Sequence, residues 1–309
     1  MMESGLRTVA ATIGLLCLSG CALLRVPPTS APSGADLLPN VVADVSRMEQ
    51  SSNEARFDAL TAMLAERNIP FQVEPFTIEL RKTEPRTQGR NIVVTIAGRL
   101  PEIVVGAHFD AARLRDGTLS KGAVDNAASS IILVRLAERL TARRLRHQVR
   151  IVFFDMEELG LLGSAKFVEA HRDRPVRAMI NLDVHALGDT LIYGPRNAAN
   201  AEMRRAFQRI CSENAQRCIE LPQMPPSDDR SFVAAGTPTI AMATVPEADA
   251  HQLWLLMNGG KPSGLADGFL PFTLNTIHTS ADSTSLVEPA AMERAYRTAL
   301  ALIVKLDQP

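Results

Sequence analysis

Residues 149–164 read VRIVFFDMEELGLLGS. Val149 to Phe154 is apolar and rich in β-branched residues without alternation, the signature of a strand buried on both faces. Such strands belong to largely parallel sheets with helices on either side. Three carboxylates follow within four positions: Asp155, Glu157 and Glu158. Beside a core, like charges repel and lose hydration, so something positive is expected to compensate them.

The flanking sequence extends the same pattern. Strands are expected over 71–79, 91–97, 102–108, 177–184, 190–193 and 237–244. Helical periodicity marks 41–67, 126–141, 158–171, 198–213 and the closing 288–306, which has Pro289 in its first turn. The fold class that follows is α/β: three layers, α/β/α, around a central mixed, mostly parallel sheet. In open sheets of this kind, sites form beyond the carboxyl ends of the strands.

Composition narrows the function. The chain has 309 residues, 46% of them hydrophobic and 5% aromatic, with a formal net charge of −1. A sizeable aliphatic core is therefore available, and the absence of a basic block argues against nucleic acid as the main partner. No apolar run reaches the roughly 18–20 residues of a spanning helix. Nothing in the sequence fixes an oligomeric state.

Residues 1–20 read as a signal peptide, with Arg7 ahead of the apolar stretch Val9 to Leu18. The stretch ends in LSGC, 18–21, which resembles the bacterial lipobox; by that resemblance Cys21 carries a lipid. Ala22 follows, and an outer-membrane anchor facing the periplasm is the expectation. Residues 21–37 are a Pro/Ser/Ala-rich tether, and 38–309 a single globular domain. Cys211 and Cys218 remain in a compartment that permits disulfides. On one continuous helix they would stand about 10 Å apart, so they pair only if the helix ends between them, near Asn214.

Polar residues collect at the expected strand ends. GAHFDA places His108 and Asp110 there, KGAVDNAAS places Asp125 just before a helix, and NLDVHALGD places Asp183. Glu157 and Glu158 follow a third strand, and NTIHTSADS offers His278 and Asp282 late in the chain. Singly, each has a plain reading as a helix cap, a first-turn acid or a core histidine. Together, two histidines and several carboxylates suit a divalent metal with mixed N/O ligands.

These motifs, in this order from Asn91 to Asp282, resemble the co-catalytic zinc aminopeptidases of metallopeptidase family 28, which also contains glutaminyl cyclases. The resemblance implies a zinc-exopeptidase fold, two zinc ions and peptide substrates. It implies that Asp125 bridges the ions, that His108 and Asp183 complete one ligand set, and that Glu158 and His278 complete the other. It makes Glu157 the general base and Asp110 the carboxylate partner of His108, and it implies a cis peptide at Asp125–Asn126. The implied activity is release of N-terminal residues. The alternatives are a glutaminyl-cyclase-like aminoacyltransferase with one zinc, and a non-catalytic envelope binding protein.

Three positions depart from the family pattern. Ile277 stands where several members have Tyr. His185, two positions after Asp183, is expected to line the substrate pocket if the strand alternation continues. SDDRSF, 227–232, resembles a segment that usually reads S-D-H-x-x-F beside that pocket, which places Asp228 and Asp229 there as candidate pocket residues.

Overall fold

The computed structural model describes residues 40–78, 87–259 and 270–308. The expected signal peptide, the expected tether and Cys21 lie outside the described residues. Two helices open the described chain, α1 (Val41–Ser46) and α2 (Asn53–Glu66). The sequence suggested one helix over 41–67. The serine pair at 51–52 breaks it, because Ser52 caps α2 by accepting the Ala55 N–H at 3.1 Å.

Eight strands follow: β1 (Gln72–Thr77), β2 (Gln88–Ile96), β3 (Arg99–His108), β4 (His147–Phe154), β5 (Val176–Leu182), β6 (Thr190–Gly194), β7 (Cys218–Glu220) and β8 (Thr239–Val245). They form one sheet in the order β1-β2-β4-β3-β5-β8-β6-β7. The central β4-β3-β5-β8 is parallel, while β1, β2 and β6 make the antiparallel pairings. The sheet is thus mixed with a parallel centre. The helices are α3 (Ala128–Thr141), α4 (Leu162–Ala170), α5 (Ala201–Glu213), α6 (Asp229–Ala234), α7 (Glu247–Asn258), α8 (Phe272–Thr276) and α9 (Pro289–Leu306). The α1, α2, α3, α5 and α9 side holds the larger core, with Ile131, Leu136, Phe207 and Ile303 packed on Val94, Val105 and Ile180. On the opposite face Phe167 of α4 and Phe232 of α6 pack on Val104, Phe154 and Met179.

Several boundaries differ from those expected. The helix after β4 starts at Leu162 rather than 158, because Gly160 and Leu161 both take positive φ and complete a turn first. The helices α6, α7 and α8 flank β8 where the sequence marked only a strand over 237–244; α6 and α8 have six and five residues, too few to leave a helical period. The edge strand β7 has three residues, too few to leave a period.

Helix α5 ends at Glu213 with Asn214 at its cap, and Cys211 is bonded to Cys218, their Cα atoms 6.2 Å apart. The bond pins the short edge strand to the helix. Closing so short a loop is worth about 2.5 kcal/mol in the chain-entropy model. Reduction without denaturant is therefore expected to lower Tm by roughly 5–10 °C. An unchanged Tm in a thermal melt with reductant would show that the other anchors of β7 suffice.

Candidate metal centre

Register brings the polar residues together. His108 lies opposite Phe154 across β3–β4, and Gly106 lies opposite Asn181 across β3–β5. The chain leaving β4 toward Glu157 and the chain leaving β5 toward Asp183 therefore emerge on either side of His108. Asp125 sits between them in an irregular turn, Ala123–Ala127, that leads into α3, and the Asp125–Asn126 peptide is cis.

The two oxygens of Asp125 face different partners. Oδ1 lies 3.0 Å from His108 Nε2, and Asp183 Oδ1 lies 3.6 Å from that same nitrogen. Oδ2 lies 3.0 Å from His278 Nε2, and Glu158 Oε2 lies 3.1 Å from that nitrogen. Two sets of potential ligands result, His108–Asp125–Asp183 and Asp125–Glu158–His278, each with its ligand atoms within 4.8 Å of one another. Four ligands at 2.0–2.2 Å around a tetrahedral zinc stand about 3.3–3.6 Å apart, close to the separations here. Each histidine nitrogen also faces two carboxylates, although an imidazole N–H can satisfy only one. Glu158 Oε1 and Asp183 Oδ1 are buried with no hydrogen-bond partner in the protein. The donor set therefore fits a pair of zinc ions, with Asp125 belonging to both sets.

Backbone hydrogen bonds fix the frame. The Asp110 carboxylate accepts the Glu157 and Glu158 N–H groups at 3.1 and 3.3 Å, which holds the turn after β4 against the end of β3. The same residue faces the His108 ring through both its carboxylate and its backbone oxygen. His108 Nδ1 is 3.1 Å from the Asp110 backbone oxygen and 3.6 Å from its carboxylate. Asp282 accepts the Val124 and Asp125 N–H groups at 2.6 and 3.2 Å. Asn126 brackets Asp183, donating to Leu182 O and accepting from Val184 N, both at 3.1 Å. Asp282 was visible in the sequence only as one acid of the last motif, and Asn126 only as the neighbour of Asp125.

Asp155 has a separate role. It is fully buried and accepts the Arg90 and Met156 N–H groups, both at 2.9 Å. Of the three acids after β4, this one is satisfied by backbone donors and is absent from both ligand sets.

The electrostatics are those of an acid-rich hollow. Burial pushes the Glu157 carboxyl up to about 10, with His108 opposing and Asp228, Asp183 and Asp125 adding to the rise. Burial and then Asp125 lift Glu158 to about 7. Hydrogen bonds to Asp125 and Glu158 raise His278 to about 11. Burial opposes ionisation of Asp125, yet the two histidines hold it well below the usual carboxylate range.

A cavity of about 270 Å³ opens onto the cluster, reached by His108, Asp125, Glu157, Asp183 and His278. Its wall is apolar, with Met224, Leu253 and Leu274 among the lining residues, and Ile277 lies on it directly before His278. His185, Asp228 and Asp229 do not line it. β5 ends at Leu182 and Val184 takes φ 59°, so alternation stops and His185 turns inward, fully buried with Nδ1 2.7 Å from Thr244 Oγ1. Asp228 and Asp229 are buried at the start of α6, and only the neighbouring Ser227 reaches the cavity.

The model of peptidase family M28 matches residues 91–303. The chain belongs to this family. The curated leucine aminopeptidase 2 of Trichophyton equinum is 29% identical over 182 residues, covering 52% of this chain and 34% of that protein. The chain thus spans about a third of the length of that curated relative. Among solved structures, the LapA aminopeptidase of Legionella pneumophila superposes with a TM-score of 0.65 at 17% identity, over 89% of this chain and 72% of that one. The glutaminyl cyclase of Porphyromonas gingivalis gives 0.64 at 18%, over 88% of this chain and 97% of that one. At such identities the likeness establishes the shared fold.

Proposed function

We propose that the chain is a zinc-dependent aminopeptidase that removes N-terminal residues from peptides. The observation that carries this reading is Asp125, whose two oxygens face two separate His/carboxylate sets. His108 and Asp183 would hold one ion, Glu158 and His278 the other, with Asp125 shared. Bound there, the ions would supply Lewis-acid polarisation of the scissile carbonyl and a water acidified to near neutrality. Glu157 lines the cavity. Its carboxylate would take the proton from the attacking water and return it to the leaving amine.

The apolar wall indicates that a leucine, methionine or phenylalanine side chain fills the cavity. In a screen of aminoacyl-4-nitroanilides, these three are expected to exceed glycine, aspartate and lysine by about tenfold or more in kcat/KM. Chelator should abolish turnover and zinc restore it. Flat rates across side chains would remove the apolar assignment, and inactivity of the zinc-loaded protein on all of them would favour a binding role.

A second reading is supported by the extent of the fold match, which runs along nearly all of the glutaminyl cyclase chain. A cyclase would convert an N-terminal glutamine to a lactam with ammonia release, and mass spectrometry of a Gln-initiated peptide separates the two reactions. The retained His108 and Asp183 favour the aminopeptidase. For location, the LSGC stretch and the tether support a lipid anchor at Cys21 in the bacterial cell envelope. Cys21→Ser should release the protein from the membrane fraction; unchanged membrane recovery would exclude that anchor.

A further inference from the structure

Helices α1 and α2 lie outside the segment 91–303 that matches the family, yet residues on and beside α2 grip the loops that carry the metal-centre residues. The chief contact is Arg56, which is fully buried. Its Nε donates to Phe109 O at 2.7 Å, directly after His108. Nη1 donates to Lys121 O at 2.8 Å and Nη2 to Gly122 O at 3.2 Å, just ahead of Asp125. A further bond from Nη1 to Met48 O, 2.8 Å, ties the guanidinium to its own segment. One rigid, planar group therefore spans the loop after β3 and the turn before α3.

Neighbouring contacts act in the same sense. Asn53 pairs with the Ala111 backbone, accepting its N–H at 2.9 Å and donating to its oxygen at 3.2 Å. Glu49 accepts both the N–H and the hydroxyl of Thr284, in the segment that follows Asp282. The turn before Asp125 is shaped to receive the guanidinium. Gly122 takes φ +56°, and a Cβ there would come within 2.7 Å of Asp125 O and 3.2 Å of Arg56 Nη1. The hydrogen-bond acceptors of Arg56 are all neutral carbonyls. The charges that favour the buried cation are instead those of Asp110, Asp282, Asp125 and Glu158 across the loops. A group with this placement sets ligand spacing and offsets the mutual repulsion of the acids when no ion is bound.

We propose that Arg56 is a positioning residue of the metal centre, which fixes the separation of His108 and Asp125 by bonding the backbones beside them. This rests on reading the cluster as a metal centre. The full chain carrying Arg56→Lys, or Arg56→Met, is compared with Leu64→Ala, a core truncation eight residues further along α2. Zinc affinity is read by competition with a chromophoric chelator, and ligand geometry by the visible spectrum of the cobalt(II)-substituted protein. Both Arg56 variants are expected to bind zinc about 10–100-fold more weakly, the range typical of lost groups that orient ligands, with altered cobalt bands. Leu64→Ala should stay within about twofold of wild type even where its Tm in chelator falls as far. Wild-type affinity and spectrum in the folded Arg56 variants, or an equal loss in Leu64→Ala, would overturn the proposal and leave the metal reading standing. Absence of zinc binding by the wild-type chain would overturn both.

Should the Arg56 variants fail to fold, wild-type hydrogen exchange decides the matter. Coupling is reciprocal, so zinc must protect the amides of α2 more than those of α5. Equal protection of the two helices would overturn the proposal.

Discussion

Glu157→Gln is expected to keep both zinc ions and to lose about 10²–10⁴-fold in kcat, the usual contribution of a positioned general base. The amide matches the carboxylate in size, so the cavity wall and KM should change little, but it cannot accept a proton. The opposite result is expected one residue on. Glu158→Gln weakens a ligand 3.1 Å from His278 Nε2, and the stoichiometry should fall toward one ion. The pair is discriminating because His108, Glu157 and Glu158 also offer ligand atoms within 4.8 Å of one another. If Glu157→Gln released zinc and Glu158→Gln did not, the two roles would have to be exchanged. What separates these adjacent side chains is Asp110, which holds both of their backbone N–H groups on its one carboxylate. Asp110→Asn should therefore impair both functions at once, a weaker effect spread over metal content and kcat. Metal analysis and initial rates on the three variants are sufficient to read all of this.

The fold was legible where apolar runs were long. β3, β4 and β5 are buried on both faces over most of their length and read as such from their sequence, and the strand-end rule points to His108, the Glu157–Glu158 pair and Asp183. Their roles came from the family motifs, since no local spacing distinguishes Glu158 from Glu157. What stayed hidden depends on contacts between distant segments. The Asp282 carboxylate reaches the backbone of residues 124 and 125, and Arg56 reaches carbonyls on two loops. A side chain that bonds backbone leaves no complementary residue type to find. His185 shows the converse failure. On a continuing strand it would share the face of Asp183, but the strand stops at Leu182 and the positive φ of Val184 redirects the chain.

Zinc is expected to raise Tm by an amount that grows with pH, and the sign follows from the acids. With the metal chelated away, Glu157 and Glu158 hold their protons up to about 10 and about 7, against 4.5 for an ordinary glutamate. Between those limits the folded chain binds protons that the unfolded chain has released, so stability falls as pH rises. His278, raised from 6.5 to about 11, acts in the same direction: its contribution is complete below 6.5 and is lost as pH climbs through 11. Asp125, held below the carboxylate range, acts in the opposite direction, but only at acid pH. From pH 5 toward pH 9 the chelated protein should thus weaken steadily. Zinc needs the same oxygens and nitrogens unprotonated, so its binding expels those protons and tightens as pH rises. At about 1,000 times Kd, one ion adds about 4 kcal/mol, which is roughly 8–16 °C in Tm for a chain of this size. Paired melts with zinc and with chelator should accordingly show a narrow gap at pH 5 and a wide one at pH 8. A gap that stays constant across this range would mean that binding displaces no protons from Glu157, Glu158 or His278, and the assignment of Glu158 and His278 as ligands would fail with it.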